Sequence, residues 1–326
     1  MTVPVSIVIP TVNRRDSVLR TVRSALQQAF AASGYEIVVV IDGADDGTAA
    51  ALRSLDAGSR LRVVDLEKNQ GPAAARNAGW RAATGPLVIF LDDDMICTPE
   101  LVGAHVAFHA EVADRCKVVG MGGVYAPPEQ RPGLAAETFL EGLGAVYEQH
   151  RSHPNEPWPT DVWSFANTSL ARVILERAGG FDERFRKRED AELGVRLLKM
   201  GVQQRFVTGA VAYQSSEKDV QQLIHDAEVS GDCDFLFMQM HPGCIPHDFI
   251  THLREEGLWK RRARQLLSTN LWFADLLLAP LCAMGEWRRM PGPLRRIGVR
   301  SLLFLCGLHW YHRFTGRSRN IPENLP

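Results

Sequence analysis

The sequence predicts an α/β fold, with a mostly parallel central sheet covered by helices and a helical extension at the C-terminal end. Three observations predict it. Short, wholly apolar runs alternate with helical stretches through the first hundred residues. Carboxylates stand where two of those runs end. Beyond residue 245 the composition turns basic and apolar together.

The elements follow in chain order. Val5-Ser-Ile-Val-Ile9, closed by Pro10, reads as the first strand. Asp16 or Ser17 is suited to cap a helix whose apolar residues Val18, Val22, Ala25 and Leu26 recur at helical spacing. Glu36 to Ile41 is a second buried strand. Gly43 and Gly47 break the chain before a short helix from Ala49 to Leu55. Leu61 to Val64 is a third strand. Gly71-Pro72 opens a helix that runs through Ala82, with Gly85 closing it. Pro86 to Leu91 is a fourth strand. Apolar strands in such alternation indicate a parallel sheet covered on both faces, whose ligands bind beyond the strands' carboxyl ends. Asp42 and Asp92-Asp93-Asp94 lie at two of those ends. Further on, Val118 to Val124 and Val207 to Tyr213 read as strands. Val173 to Ala178, Asp190 to Met200 and Val220 to Met240 read as helical. The expected organisation is one large domain over 1–245, in two halves (1–100 and 101–245), and a basic, apolar helical tail over 246–326.

Composition bounds the function. Hydrophobic residues make up 45% and charged residues 23% of 326, ordinary for a globular protein and against wholesale disorder. The net charge of -1 conceals an asymmetry. Twelve basic residues from Lys260 to Arg319 face only Asp275, Glu286 and Glu323, so the tail is near +9 and the rest near -10. No pair among the six cysteines has zinc-knuckle or redox spacing, which points to a reducing, cytoplasmic setting. Met1 to Pro10 reads as a buried strand rather than a signal peptide.

Asp92-Asp93-Asp94 carries the sharpest chemistry. Three carboxylates at the end of an apolar strand repel one another, and burial raises their pKa values. A hard cation, Mg²⁺ or Mn²⁺, relieves that conflict and bridges carboxylate to diphosphate. A solvated acidic turn is the alternative. His105 and His109 have the i, i+4 spacing of a zinc pair, but Val106 stands where a zinc protease has glutamate, and they read as a solvated helix face. Trp158 and Trp163 suit either a sugar-stacking platform or core packing.

Six segments in order now bear on identity. Val5-Ser-Ile-Val-Ile-Pro-Thr11 with Asn13, Val40 to Thr48, Asn69 to Asn77, Phe90 to Asp94, Phe165 to Leu170 with Gly179 to Glu183, and Arg188 to Leu197 together resemble the motif series of family-2 inverting glycosyltransferases of the GT-A fold. The resemblance implies a Rossmann-like nucleotide-diphospho-sugar transferase fold. It also implies a nucleoside diphosphate sugar as donor, with UDP-sugar foremost, dTDP open and GDP less favoured. By this resemblance Pro10 and Thr11 flank the base, and Asp42 accepts a hydrogen bond from the base's ring N–H. Arg76 lies near the diphosphate or the ribose-side loop. Asp92 or Asp93 contacts ribose or metal, and Asp94 binds the metal. Asp190 is the general base that deprotonates the acceptor hydroxyl, and Glu189 positions it or the acceptor. An ordinary acidic helix start is the alternative for the last two. In place of the family's frequent metal-binding histidine stands Gln214, leaving the metal to Asp94 and diphosphate, or to His225 or His241.

Lys260-Arg-Arg-Ala-Arg264 and two interrupted apolar runs make the tail either a peripheral membrane contact at the inner membrane face or a helical subdomain. The first would bring a lipid-linked or surface-polymer acceptor within reach, as in polysaccharide biosynthesis; a sugar or small-molecule hydroxyl is the other acceptor class. No nucleic acid is expected. The rival functions are a nucleotidyltransferase and a non-catalytic sugar- or lipid-binding scaffold of the same fold.

Overall fold

A computed structural model describes residues 5–31, 34–127, 147–153, 163–215, 219–244, 257–286 and 292–317. The chain divides into two compact units, with the main break between Ser215 and Ser216. The first contains β1 (Val5–Thr11), α1 (Arg15–Leu26), β2 (Tyr35–Asp42), α2 (Thr48–Arg53), β3 (Leu61–Leu66), α3 (Pro72–Ala82) and β4 (Leu87–Leu91). It continues through β5 (Met95–Cys97), α4 (Leu101–Glu111), β6 (Val118–Tyr125), β7 (Asn167–Ala171), α5 (Arg172–Ala178), α6 (Glu189–Lys199) and β8 (Gln203–Gln214). The second holds α7 (Val220–Met240), α8 (Leu258–Leu267), α9 (Leu271–Glu286) and α10 (Gly292–Arg317). The expected boundary at 245 therefore falls elsewhere: α7 packs with the C-terminal helices. Trp310, Leu305, Leu308 and Phe314 of α10 share one core with Ala227 of α7.

One sheet runs through the first unit in the order β3-β2-β1-β4-β7-β6-β8-β5. Its first four strands are parallel, as the apolar runs predict. Ile7, Val8, Ile9, Val38 to Ile41 and Val88 to Leu91 have no solvent exposure at all. Each such side chain contributes about 1.5–3 kcal/mol of burial. β7 then enters antiparallel between β4 and β6, so the sheet is mixed beyond β4. Nothing in the local pattern of β7 encodes its direction. Because β2, β1 and β4 are adjacent and parallel, Asp42, Thr11 and Asp92 end up along one sheet edge.

Several expectations need correction. Arg14, not Asp16 or Ser17, precedes α1, and no side chain caps it; Asp16 lies in the first turn, where its charge suits the helix dipole. Ser17 and Thr21 are instead buried, and both hydroxyls donate to the carbonyl of Asp93. The α3 helix ends at Ala83 in extended backbone, ahead of Gly85. His105 and His109 are neither a zinc pair nor solvated: both are buried against β7. His105 Nε2 lies 3.0 Å from Asn167 Oδ1 and His109 Nε2 lies 3.0 Å from Ser169 Oγ. The Asn167 amide nitrogen donates to the carbonyls of Gly123 and Ala210, so its oxygen faces His105 and puts the imidazole proton on Nε2. Trp163 is buried and stacks on Phe165, which assigns it to the core; Trp158 lies outside the described residues.

Burial pushes the pKa of both histidines down to about 4. Between pH 6.5 and 4 the unfolded chain therefore binds more protons at these sites than the folded one. Their contribution is complete above pH 6.5 and is lost as pH falls toward 4. The expected outcome is that wild type loses roughly 1–2 kcal/mol more than His105→Gln between pH 7 and pH 5 in urea titrations. Equal losses would refute this account.

Candidate active site

The acidic triplet is divided by its surroundings. Asp92 has a third of its side chain open to solvent, whereas Asp93 and Asp94 are buried. Arg14 forks across the buried pair, with Nη1 at 2.5 Å from Asp93 and Nη2 at 3.2 Å from Asp94. Thr11 donates its hydroxyl to the other Asp93 oxygen at 2.7 Å. Burial pushes Asp93 up to about 7 against the opposing pull of Arg14. Asp94 is also raised, by burial first and then by the charge of Asp92. Gln214, at the end of β8, aims its amide nitrogen at both Asp94 oxygens at 3.3 Å. The residue in the histidine's place thus donates to Asp94 and holds it.

Arg76 is the centre of the arrangement. It is buried on α3, where its Nη2 donates to Asp92 Oδ1 at 2.8 Å and its Nη1 donates to Glu189. One guanidinium thereby joins the end of β4 to the start of α6. Asp190 also acts on Arg76 electrostatically, and together with Asp92 and Glu189 it outweighs the cost of burying the cation. Asp190 is partly exposed, and one of its oxygens accepts the backbone N–H of Ala191. The carboxylates expected on the donor side and the acceptor side therefore converge on a single cation. Both terminal nitrogens of Arg76 are engaged by protein carboxylates at the sheet edge where the resemblance puts the diphosphate or the ribose-side loop.

Asp42 also has a structural role. Its two oxygens accept the backbone N–H groups of Gln70 and Gly71, each at 2.7 Å, and the residue is 3% exposed. The carboxylate fixes the start of α3, and each oxygen keeps a second acceptor position. Gly43 makes that approach feasible: its φ is +67°, and a Cβ there would come within 2.3 Å of the Asn69 backbone nitrogen. Pro10 is the last but one residue of β1, near its carboxyl end, and Thr11 faces Asp93. His225 and His241 belong to the second unit.

Sequence reading passed over Arg14 and Thr21, gave Ser17 only a capping role, and gave Asp46 no role of its own. Asp46 accepts from the Arg15 backbone at 3.0 Å and from Thr48, tying the loop after β2 to the loop after β1. Arg14 stands in the sequence beside a second arginine, Arg15, and nothing local marks it as the partner of Asp93 and Asp94. Asn77 fixes the far side: it donates to the Phe181 carbonyl and accepts from the Phe181 N–H and Trp80 Nε1.

Among the described residues no three His, Cys, Asp or Glu side chains form a metal cage. Magnesium and manganese sites are commonly made of one or two carboxylates completed by substrate phosphates. Asp92 and Asp94 fit that donor set.

Residues 6–159 match the sequence model described as "Glycosyl transferase family 2". This chain carries a family-2 glycosyltransferase domain of the GT-A fold. It is 31% identical over 271 residues to validoxylamine A glucosyltransferase of Streptomyces hygroscopicus subsp. jinggangensis, covering 75% of this chain and 62% of that one. It is 30% identical over 217 residues to succinoglycan biosynthesis protein ExoU of Rhizobium meliloti, covering 62% and 59%. The chain thus spans less than two thirds of the length of these relatives. Among solved structures it resembles the mannosyltransferase PcManGT from Pyrobaculum calidifontis in complex with GDP-Man and Mn²⁺ (TM-score 0.60, 20% identity, 94% of this chain and 86% of that one). It also resembles S. aureus TarS 1-349 in complex with UDP-GlcNAc (TM-score 0.53, 16% identity, 93% and 90%). Identities this low carry the fold alone.

Removing Arg76 leaves two carboxylates without their cation, one of them buried. Arg76→Ala is expected to cost about 3–5 kcal/mol in chemical denaturation. Arg76→Lys keeps the charge but reaches only one carboxylate well, and should fall between that variant and wild type.

Proposed function

We propose that the chain transfers a hexosyl group from a nucleoside diphosphate sugar, taken first as a UDP-sugar, to a hydroxyl acceptor with inversion and divalent-metal assistance. The observation that carries this reading is the Arg76 bridge. It puts Asp92, at the donor edge of the sheet, and Glu189, next to Asp190, on one guanidinium.

Asp190 accepts the proton of the acceptor hydroxyl as that oxygen bonds to the anomeric carbon and the bond to the diphosphate breaks. One base and one displacement give inversion. Glu189 is held by Arg76 and positions the helix start that carries Asp190. A bound Mg²⁺ or Mn²⁺ would supply charge neutralisation to the leaving diphosphate, held by Asp94 and Asp92. Arg14 lies against Asp93 and Asp94 and adds positive charge on that side.

The preference for uridine draws support from the UDP-GlcNAc complex of TarS; the GDP-Man complex of PcManGT keeps guanosine as a test arm. The names of the curated relatives support a sugar-like or polysaccharide acceptor, and a lipid-linked one accords with the surface of the second unit. A reducing cytoplasmic setting at the inner membrane face is part of this reading; Cys97 and Cys306 are buried free thiols. A non-catalytic scaffold is the second reading, favoured by Gln214 and by the engaged Asp42.

Calorimetry with UDP, dTDP and GDP, with and without Mn²⁺, separates the two. The transferase reading expects Mn²⁺-dependent binding of UDP that weakens about tenfold or more in Asp94→Ala. Asp190→Asn should bind the nucleotide as wild type does while sugar transfer falls roughly 10²–10⁴-fold. A folded protein that binds none of the nucleotides would establish the scaffold instead.

A further inference from the structure

We infer that the second unit docks on an anionic lipid bilayer through the outward faces of α8 and α9, lying in the interface rather than crossing it. This deepens the proposed membrane-side acceptor and does not depend on the catalytic assignment.

The α9 helix is apolar on two sides. Ala274 and Cys282 enter the unit's core, and Leu271 and Leu278 pack against it. The opposite face presents Trp272, Phe273, Leu276 and Leu277, which are 50–71% exposed. A helix that is hydrophobic all round is normally buried or in lipid. On α8, Trp259 and Leu266 stand one face apart from the inward Arg264 and Ser268, and Trp259 is 83% exposed. Large exposed apolar side chains recur on two successive helices, unlike the scattered exposure usual for a soluble surface.

The charge of this region selects the occupant. Lys260, Arg261 and Arg262 are exposed on α8, and Arg296 and Arg300 on α10. The Arg262 guanidinium lies over the Trp259 ring, 5.9 Å from its centroid, a pairing suited to a headgroup above an indole. Anionic lipid gains about 1 kcal/mol for each such basic residue near its surface. A second copy of this chain meets like charge: in a two-fold contact the same basic clusters would face each other. The α8 and α9 helices meet at a bend of 117°, and among the described residues no single helix is long and apolar enough to cross a membrane. A bent pair with an apolar face and flanking cations matches an interfacial helix pair.

Vesicle flotation of the full chain tests this. The protein should float with vesicles of phosphatidylcholine carrying about 30% phosphatidylglycerol, and weakly with phosphatidylcholine alone. About 0.5 M salt should weaken the anionic-vesicle binding. Trp272→Glu with Leu276→Glu, both exposed positions, should lower partitioning about tenfold or more. Replacing Lys260, Arg261 and Arg262 by Gln should remove the preference for anionic vesicles. Nucleotide binding, read separately by calorimetry, should be unchanged in both variants, so failure here is distinct from failure of the transferase reading. No flotation, or a lipid-free dimer that both variants dissolve into monomers in light scattering, would overturn the proposal.

Discussion

The guanidinium of Arg76 is the contact on which the candidate site depends. It is buried, it carries a charge that cannot be given up, and it is satisfied by carboxylates from two elements far apart in sequence. Without Glu189 and Asp92 the cation could not be buried there; without the cation the two carboxylates would repel. The mutual requirement sets the register of α6 against the edge of β4. A second fork, that of Arg14, does the same for Asp93 and Asp94. The site is thus built on paired charges, and its order comes from their compensation rather than from apolar packing.

The support reaches back into elements with no chemistry of their own. The α1 helix buries Ser17 and Thr21 because the Asp93 carbonyl needs donors, and Ser24 accepts the backbone N–H of Cys97. On the other flank, Asn77 uses its amide group to hold the Phe181 backbone. Polar residues that look like interruptions of amphipathic helices are spent on fixing the segments around the site.

The sequence was most informative where structure is local. The strands ending at Thr11, Asp42 and Leu91 were legible because their apolar runs are continuous and bounded, and the acid triplet was legible as a position on one of them. What it concealed depends on distant partners. His105 and His109 carry the same spacing whether their face meets water or β7, and only Asn167 and Ser169, some sixty residues away, decide it. The structural role of the Asp42 carboxylate shows only when the chain returns with Gln70 and Gly71. The direction of β7 and the grouping of α7 with the C-terminal helices follow from pairings that no periodicity encodes.

The hold of Asp42 on the start of α3 has a further consequence. Arg76 lies on the second turn of that helix, so its guanidinium takes its height from a carboxylate on β2. A substitution at the β2 end would tilt the helix, and the error would arrive at Glu189. Asp42, Gly71, Arg76 and Glu189 are therefore one mechanical chain, running from the end of β2 through the start of α3 to the start of α6.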